Sequence, residues 1–207
     1  MFPLGTVLMP GSVLPLHVFE PRYRALMDDL TGAELGTPLI DPEFGVVLIE
    51  RGSEVGGGDV RASWGTVARL LDAEHLADGR WVAAAVGTSR VIVHDWLPEE
   101  PYPMALVEDL DEAPWSRSDD ERLGAAAAGL RRAFSLAAEL EGGAPSRKFE
   151  LDGDPAAAAW QLCALAPLGA HDRYRLLRAS DVAARLEALV EMTDDISAAL
   201  ALRLGGG

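Results

Sequence analysis

Four histidines, one cysteine and a single lysine are the residues of this 207-residue chain best suited to chemistry, and their spacing is unfavourable for it. His17, His75, His94 and His171 are scattered, with no i,i+4 pair and no cysteine nearby. The spacing of a metal-ligand set is therefore missing. Cys163 lies beside Trp160, Leu162 and Leu165 on an apolar helical stretch, so an inert buried thiol is expected rather than a nucleophile. A phosphate-cradling loop needs Gly-x-x-x-x-Gly-Lys-[Ser/Thr], because backbone amides hold the phosphates and the lysine reaches them. Lys148 follows no such loop, and the Gly56–Gly58 run leads into Asp59, which repels phosphate and reads as a hairpin tip. Lys148 is also the sole candidate base for a Ser-Lys dyad. Its loop surroundings offer none of the desolvation that would lower its pKa. The carboxylate pairs Asp28-Asp29, Glu99-Glu100 and Asp194-Asp195 are sequence neighbours, which point apart in helices and strands, so paired acid/base work has no support. The expectation is no catalytic residue, no metal and no cofactor.

The elements that would position these groups fall into two styles, dividing at 115/116. Residues 1–115 carry short Val-rich runs parted by turn signals such as Pro10-Gly11, Asp78-Gly79 and the Pro98–Pro103 stretch. Strands are predicted at Thr6–Leu8, Ser12–Val18, Phe44–Glu50, Ala62–Ala73, Arg80–Val86, Thr88–Trp96 and Pro103–Leu110. Many short strands point to a small curled or barrel-like sheet. One helix interrupts them. Pro21 suits its first position, Tyr23, Leu26, Met27 and Leu30 form its apolar stripe, and Glu20–Arg24 and Arg24–Asp28 pair along another face.

From Ser116 onward the pattern is helical. Ser118 to Glu121 reads as a capping box, and Asp154-Pro155 as a cap with proline at N1. A third helix covers 170–178. Ser180 or Asp181 opens a fourth, whose Val182, Leu186, Leu189, Thr193, Ile196, Leu200 and Arg203 make a bundle seam.

Composition narrows the function classes. The net charge is −15, and residues 1–115 alone carry 7 Arg against 19 Asp+Glu, or −12. Such a surface repels a phosphate backbone at long range, so nucleic acid is not the expected main partner. No apolar run reaches the roughly 18 residues that cross a bilayer. The start lacks the basic flank of a signal peptide, and the lone cysteine suits a reducing compartment, so a cytoplasmic location is expected.

Residues 7–27, VLMPGSVLPLHVFEPRYRALM, closely resemble the opening motif of the amino-terminal, substrate-binding domain of the Lon protease family. Leu14 through Arg24 is the most specific part. Fragments in the family's order follow at Phe44–Ile49, Gly65–Arg69, Asp78–Arg80, Gly87–Arg90, Tyr102–Ala105, Asp172–Leu177 and Arg185-Leu186. The resemblance implies an α+β fold, a PUA-like six-stranded β pseudobarrel followed by a four-helix bundle. It implies a stand-alone, non-catalytic module without the family's ATPase and protease domains. The expected partners are unfolded or extended polypeptides, and a separate protease machine if the module is an adaptor presenting clients. RNA binding is the alternative, since PUA-like barrels elsewhere bind RNA.

The peptide-binding residues expected on this reading are His17, Phe19, Glu20, Arg22, Tyr23, Trp64, Tyr102 and Trp115, in a groove where the two halves meet. Trp81 and Trp96 are further candidate anchors, because aromatic side chains give large contact area at low entropy cost. For most of these, structural roles compete. His17 in particular is expected to be a satisfied structural histidine.

Overall fold

Pro10 and Gly11 determine how the first long strand enters its sheet. In a computed structural model describing residues 1–32, 42–52, 58–143 and 147–205, Gly11 sits at φ 77. Its N–H donates to Gly87 O at 2.8 Å, while Gly87 N–H donates to Ser12 O at 3.0 Å. A left-handed glycine with two residues opposite one is a β-bulge of the glycine-first kind. Gly87 has its own constraint, since a Cβ there would lie 2.6 Å from Met9 O. The predicted tip at Gly56–Gly58 falls outside the described residues except for Gly58.

The described part of Met1–Asp111 holds a six-stranded sheet and one helix. The strands are β1 (Phe2–Leu4), β2 (Val13–Val18), β3 (Glu43–Arg51), β4 (Val60–His75), β5 (Trp81–Trp96) and β6 (Ala105–Leu110), with α1 (Pro21–Thr31) after β2. The order is β1-β3-β4-β5-β2, and β6 also pairs with β5. Only the β1–β3 pairing is parallel. Register shifts within β3–β4, β4–β5 and β5–β6 add twist and curl the sheet. Its core gathers Leu14, Leu16 and Val18 from β2 with Tyr23, Leu26, Met27 and Leu30 from α1. Each such side chain contributes about 1.5–3 kcal/mol when fully buried.

Three strand expectations change. Thr6–Leu8 is not a strand; its apolar side chains are buried, but Leu8 O accepts from the Thr66 hydroxyl at 2.7 Å instead of a ladder partner. The first strand is Phe2–Leu4, too short to show alternation. Arg80–Val86 and Thr88–Trp96 are one strand, because Gly87 marks a close backbone approach and not a turn.

The second unit, Glu112–Gly207, begins a few residues before the predicted break. It holds α2 (Arg117–Leu140), α3 (Pro155–Leu165), α4 (Ala170–Leu177) and α5 (Val182–Gly205). The capping box is not Ser118–Glu121 but Ser116 with Asp119, whose carboxylate accepts from Ser116 N–H at 2.9 Å. Asp154 and Asp181 cap α3 and α5 through Ala156, Ala157 and Ala184 N–H. In α5 the seam buries Val182, Leu186, Leu189 and Thr193 as expected, but Arg203 is exposed and Arg185 is buried. Arg185 stacks 3.4 Å above the Trp160 ring and donates to both Glu112 oxygens, at 3.2 and 3.0 Å.

Candidate functional site

β1 and β2, the two ends of the main strand order, each pair on one side only, β1 with β3 and β2 with β5. Curling brings both to a single cleft of about 190 Å³, lined by residues 2–4, residues 15–20 and Tyr23. Its walls have opposite characters. Phe2, Leu4, Leu16 and Val18 are buried apolar groups, and the Phe2 ring stacks on Tyr23 at 4.2 Å. Phe19 is 54% exposed, so a large apolar side chain stands in water at the opening, and Val13 at the start of β2 is 64% exposed. Alternation explains β2, which buries Leu14, Leu16 and Val18 and exposes Val13, Pro15 and His17.

A chain of alternating charges lies next to the cleft. Arg22 Nε meets Glu20 at 3.3 Å, and Arg22 reaches Glu99 at 3.5 Å. Glu99 also accepts from Arg61, which holds Asp59 at 2.6 Å and lies 4.6 Å over the Trp96 ring. Three carboxylates against two guanidiniums leave this chain at −1. Burial alone would raise the Asp59 pKa, but the Arg61 hydrogen bond and charge outweigh it and hold the carboxyl below its usual range. Burial pushes the Tyr23 hydroxyl up to about 12.

Four expected site residues therefore meet at one cleft: His17, Phe19, Glu20 and Tyr23. Arg22 orients Glu20 and lies 4.5 Å over the Tyr23 ring. The other three do not line it. Trp64 is half-buried with Arg90 5.6 Å over its ring. Tyr102 donates to Asp29 at 2.5 Å, and burial followed by that bond raises its pKa to about 12. Trp115 belongs to the second unit and donates from Nε1 to Asp120 at 2.8 Å. Trp81 is a core residue and no anchor, and His17 is exposed rather than packed into the structure. Glu20 pairs with Arg22 and not with Arg24, whose guanidinium sits where a Cβ on Gly79 would be.

Chemistry elsewhere is sparse. Cys163 is fully buried, and desolvation pushes its thiol up to about 12, so it is not a nucleophile at neutral pH. Among the described residues no group of three or more His, Cys, Asp and Glu is placed to hold a metal ion, and no helix is long and apolar enough to cross a membrane. The sequence reading missed one cluster. In the second unit Arg131 lies 4.9 Å over Phe149 and Arg147 5.7 Å over Phe134, beside a hollow that Lys148 also lines. Its signal was the Arg147-Lys148-Phe149 run together with Arg131 and Phe134 on one helix face.

Comparison with known proteins gives a consistent picture. The family model described as the ATP-dependent protease La (LON) substrate-binding domain matches residues 1–195. Lon protease 2 of Sorangium cellulosum is 30% identical over 199 residues, covering 91% of this chain and 23% of that protein. Lon protease of Anaeromyxobacter dehalogenans is 26% identical over 193 residues, covering 91% of this chain and 22% of that protein. The chain thus spans less than a quarter of each. Among solved structures, a Lon N-terminal domain protein from Xanthomonas campestris superposes with a TM-score of 0.62 at 27% identity, covering 92% of this chain and 95% of that one. The N-terminal domain of Mycobacterium avium complex Lon protease gives 0.60 at 19% identity, covering 93% and 97%, a likeness of fold.

Proposed function

Because the chain belongs to the Lon substrate-binding domain family, we propose that it is a non-catalytic module that recognises unfolded or extended polypeptides. On this reading the curled sheet is a PUA-like pseudobarrel, helices α2–α5 form a four-helix bundle, and the module works in the cytoplasm, alone or as an adaptor for a separate protease. The observation that carries the proposal is the cleft between β1 and β2, where buried apolar walls meet exposed Phe19 beside the Glu20–Arg22 pair. Exposed aromatic and aliphatic groups around a concave apolar site supply binding free energy without any reacting group. The long-range repulsion between an acidic surface and nucleic acid supports polypeptide over RNA.

Titration with unfolded model proteins tests the reading. Reduced, unfolded casein should bind the folded protein, and Phe19→Ser should weaken binding about tenfold while leaving the fold intact. Absence of binding to any unfolded chain by demonstrably folded protein refutes it.

The cluster of Arg131, Arg147 and Lys148 around Phe134 and Phe149 favours RNA as a second reading, since stacked cations and aromatic rings suit single strands. Salt-dependent association with a labelled RNA, lost on Arg131→Glu, would put that reading first.

A further inference from the structure

The free edge of β2 is built to take another strand. Ser12 O accepts from Gly87 N–H, so Ser12 faces β5 at the start of the ladder. Backbone groups of successive residues in a strand point to opposite sides, so Leu14, Leu16 and Val18 also bond toward β5. Val13, Pro15 and His17 then turn their backbone groups away from the sheet. Pro15 fits this parity, because the one residue with no N–H sits where no ladder bond is lost. Among the described residues, no backbone bond outside the ladder engages Val13, Pro15 or His17. The edge therefore offers N–H at Val13 and His17 and C=O at Val13, Pro15 and His17.

Edges of this kind are normally blunted by charge or covered, as they are templates for pairing. β2 carries no charged residue, its outward residues Val13, Pro15 and His17 are exposed, and the cleft opens beside it. Side chains on a strand laid along β2 would alternate in the same way as those of β2 itself. Those on the side of Leu14, Leu16 and Val18 would enter the cleft toward Phe2, Leu4 and Tyr23. A cavity of roughly 150 Å³ accepts a benzene ring, so the cleft of about 190 Å³ accepts one ring-sized or branched side chain. Glu20 at the rim is balanced by Arg22, so it is the −12 of residues 1–115 that opposes acidic residues in the added segment.

We infer that extended polypeptide binds this protein by β-strand addition to the outer edge of β2, placing one large apolar side chain in the β1–β2 cleft and selecting segments free of Asp and Glu. This rests on the polypeptide-binding reading above and specifies its mode. Backbone bonds supply affinity for any extended chain, and the cleft together with the negative charge of residues 1–115 supplies the selectivity.

The probe is a set of fluorescein-labelled decapeptides tiling the casein sequence, titrated against the full chain. The tightest binder is then N-methylated at each backbone position in turn. The expected result is a two-residue period, about tenfold weaker binding at alternate positions and about twofold or less between them. In amide exchange by NMR, Val13 and His17 should slow at least tenfold on saturation, with Leu14 and Leu16 unchanged. Val13→Pro, which removes an outward donor, should weaken binding about tenfold, and Lys→Glu changes in the peptide should weaken it further. A bound peptide with no periodic N-methyl effect and no protection of Val13 and His17 overturns strand addition while leaving polypeptide binding in place. Failure of every decapeptide to bind overturns both. A dimer whose Val13 and His17 amides are protected without peptide assigns the edge to a second copy and overturns the proposal.

Discussion

Arg185→Ala should destabilise the helical unit by about 3 kcal/mol, more than ordinary surface changes cost. The side chain is 1% exposed, stacks 3.4 Å over Trp160 and forms a two-pronged bond to Glu112. A desolvated cation–π contact is worth about 2 kcal/mol. Breaking a buried ion pair costs about 3–5 kcal/mol, because the remaining charge is stranded. Here the partner is 34% exposed, so water recovers part of that penalty for Glu112. The void left beneath Trp160 adds a cavity cost of its own. These contributions overlap, which brings the sum to about 3 kcal/mol. Urea unfolding followed by far-ultraviolet circular dichroism should show a lower midpoint at unchanged slope. Arg185→Met keeps the volume and should lose less than about 1.5 kcal/mol. An Arg185→Ala variant within about 0.5 kcal/mol of the parent would refute the packing argument. Arg185→Met as damaging as Arg185→Ala would show that the charge, not the packing, governs the site.

Gly87→Ala places a Cβ 2.6 Å from Met9 O, so it should cost about 1–3 kcal/mol and disturb the Gly11 bulge; amide exchange at Gly11 and Ser12 reads this locally. Cys163 should resist thiol reagents in the native protein at pH 8 and label only when urea unfolds the chain; fast native labelling would contradict its burial. Tyr23 and Tyr102 should ionise near pH 12 in ultraviolet difference spectra, against an ordinary value of about 10. Their folded-state pKa values are raised, so the associated stability is whole below pH of about 10 and is lost as pH rises through 12. The Asp59 pKa is depressed, so its contribution is present above about pH 4 and lost as pH falls through the lowered folded value. Asp59→Asn should flatten the acid limb of stability against pH.

The sequence by itself determined what local physics determines. Proline at the first position of α1, the Asp154 cap, a cap at Ser180 or Asp181, the Asp78-Gly79 hairpin and the period of two in β2 are all short-range features. The long motif at residues 7–27 carried the family, and it placed His17, Phe19, Glu20 and Tyr23 within seven positions of one another, close enough to converge. Tertiary structure alone decided the rest. β1 has three residues and no periodicity; it is a strand only because β3 lies alongside. Gly87 reads as a break in sequence, yet the strand continues through it because Met9 must pass close by. Arg185 looks like a solvated helix charge until Trp160 and Glu112, distant in sequence, close around it. Trp81 looks like a binding anchor until the sheet curls over it. The cleft has the same origin, since no spacing rule says that the first and last strands of a sheet will share one opening. Turns and caps are fixed by neighbouring residues, whereas burial and edge exposure are fixed by which distant segments arrive.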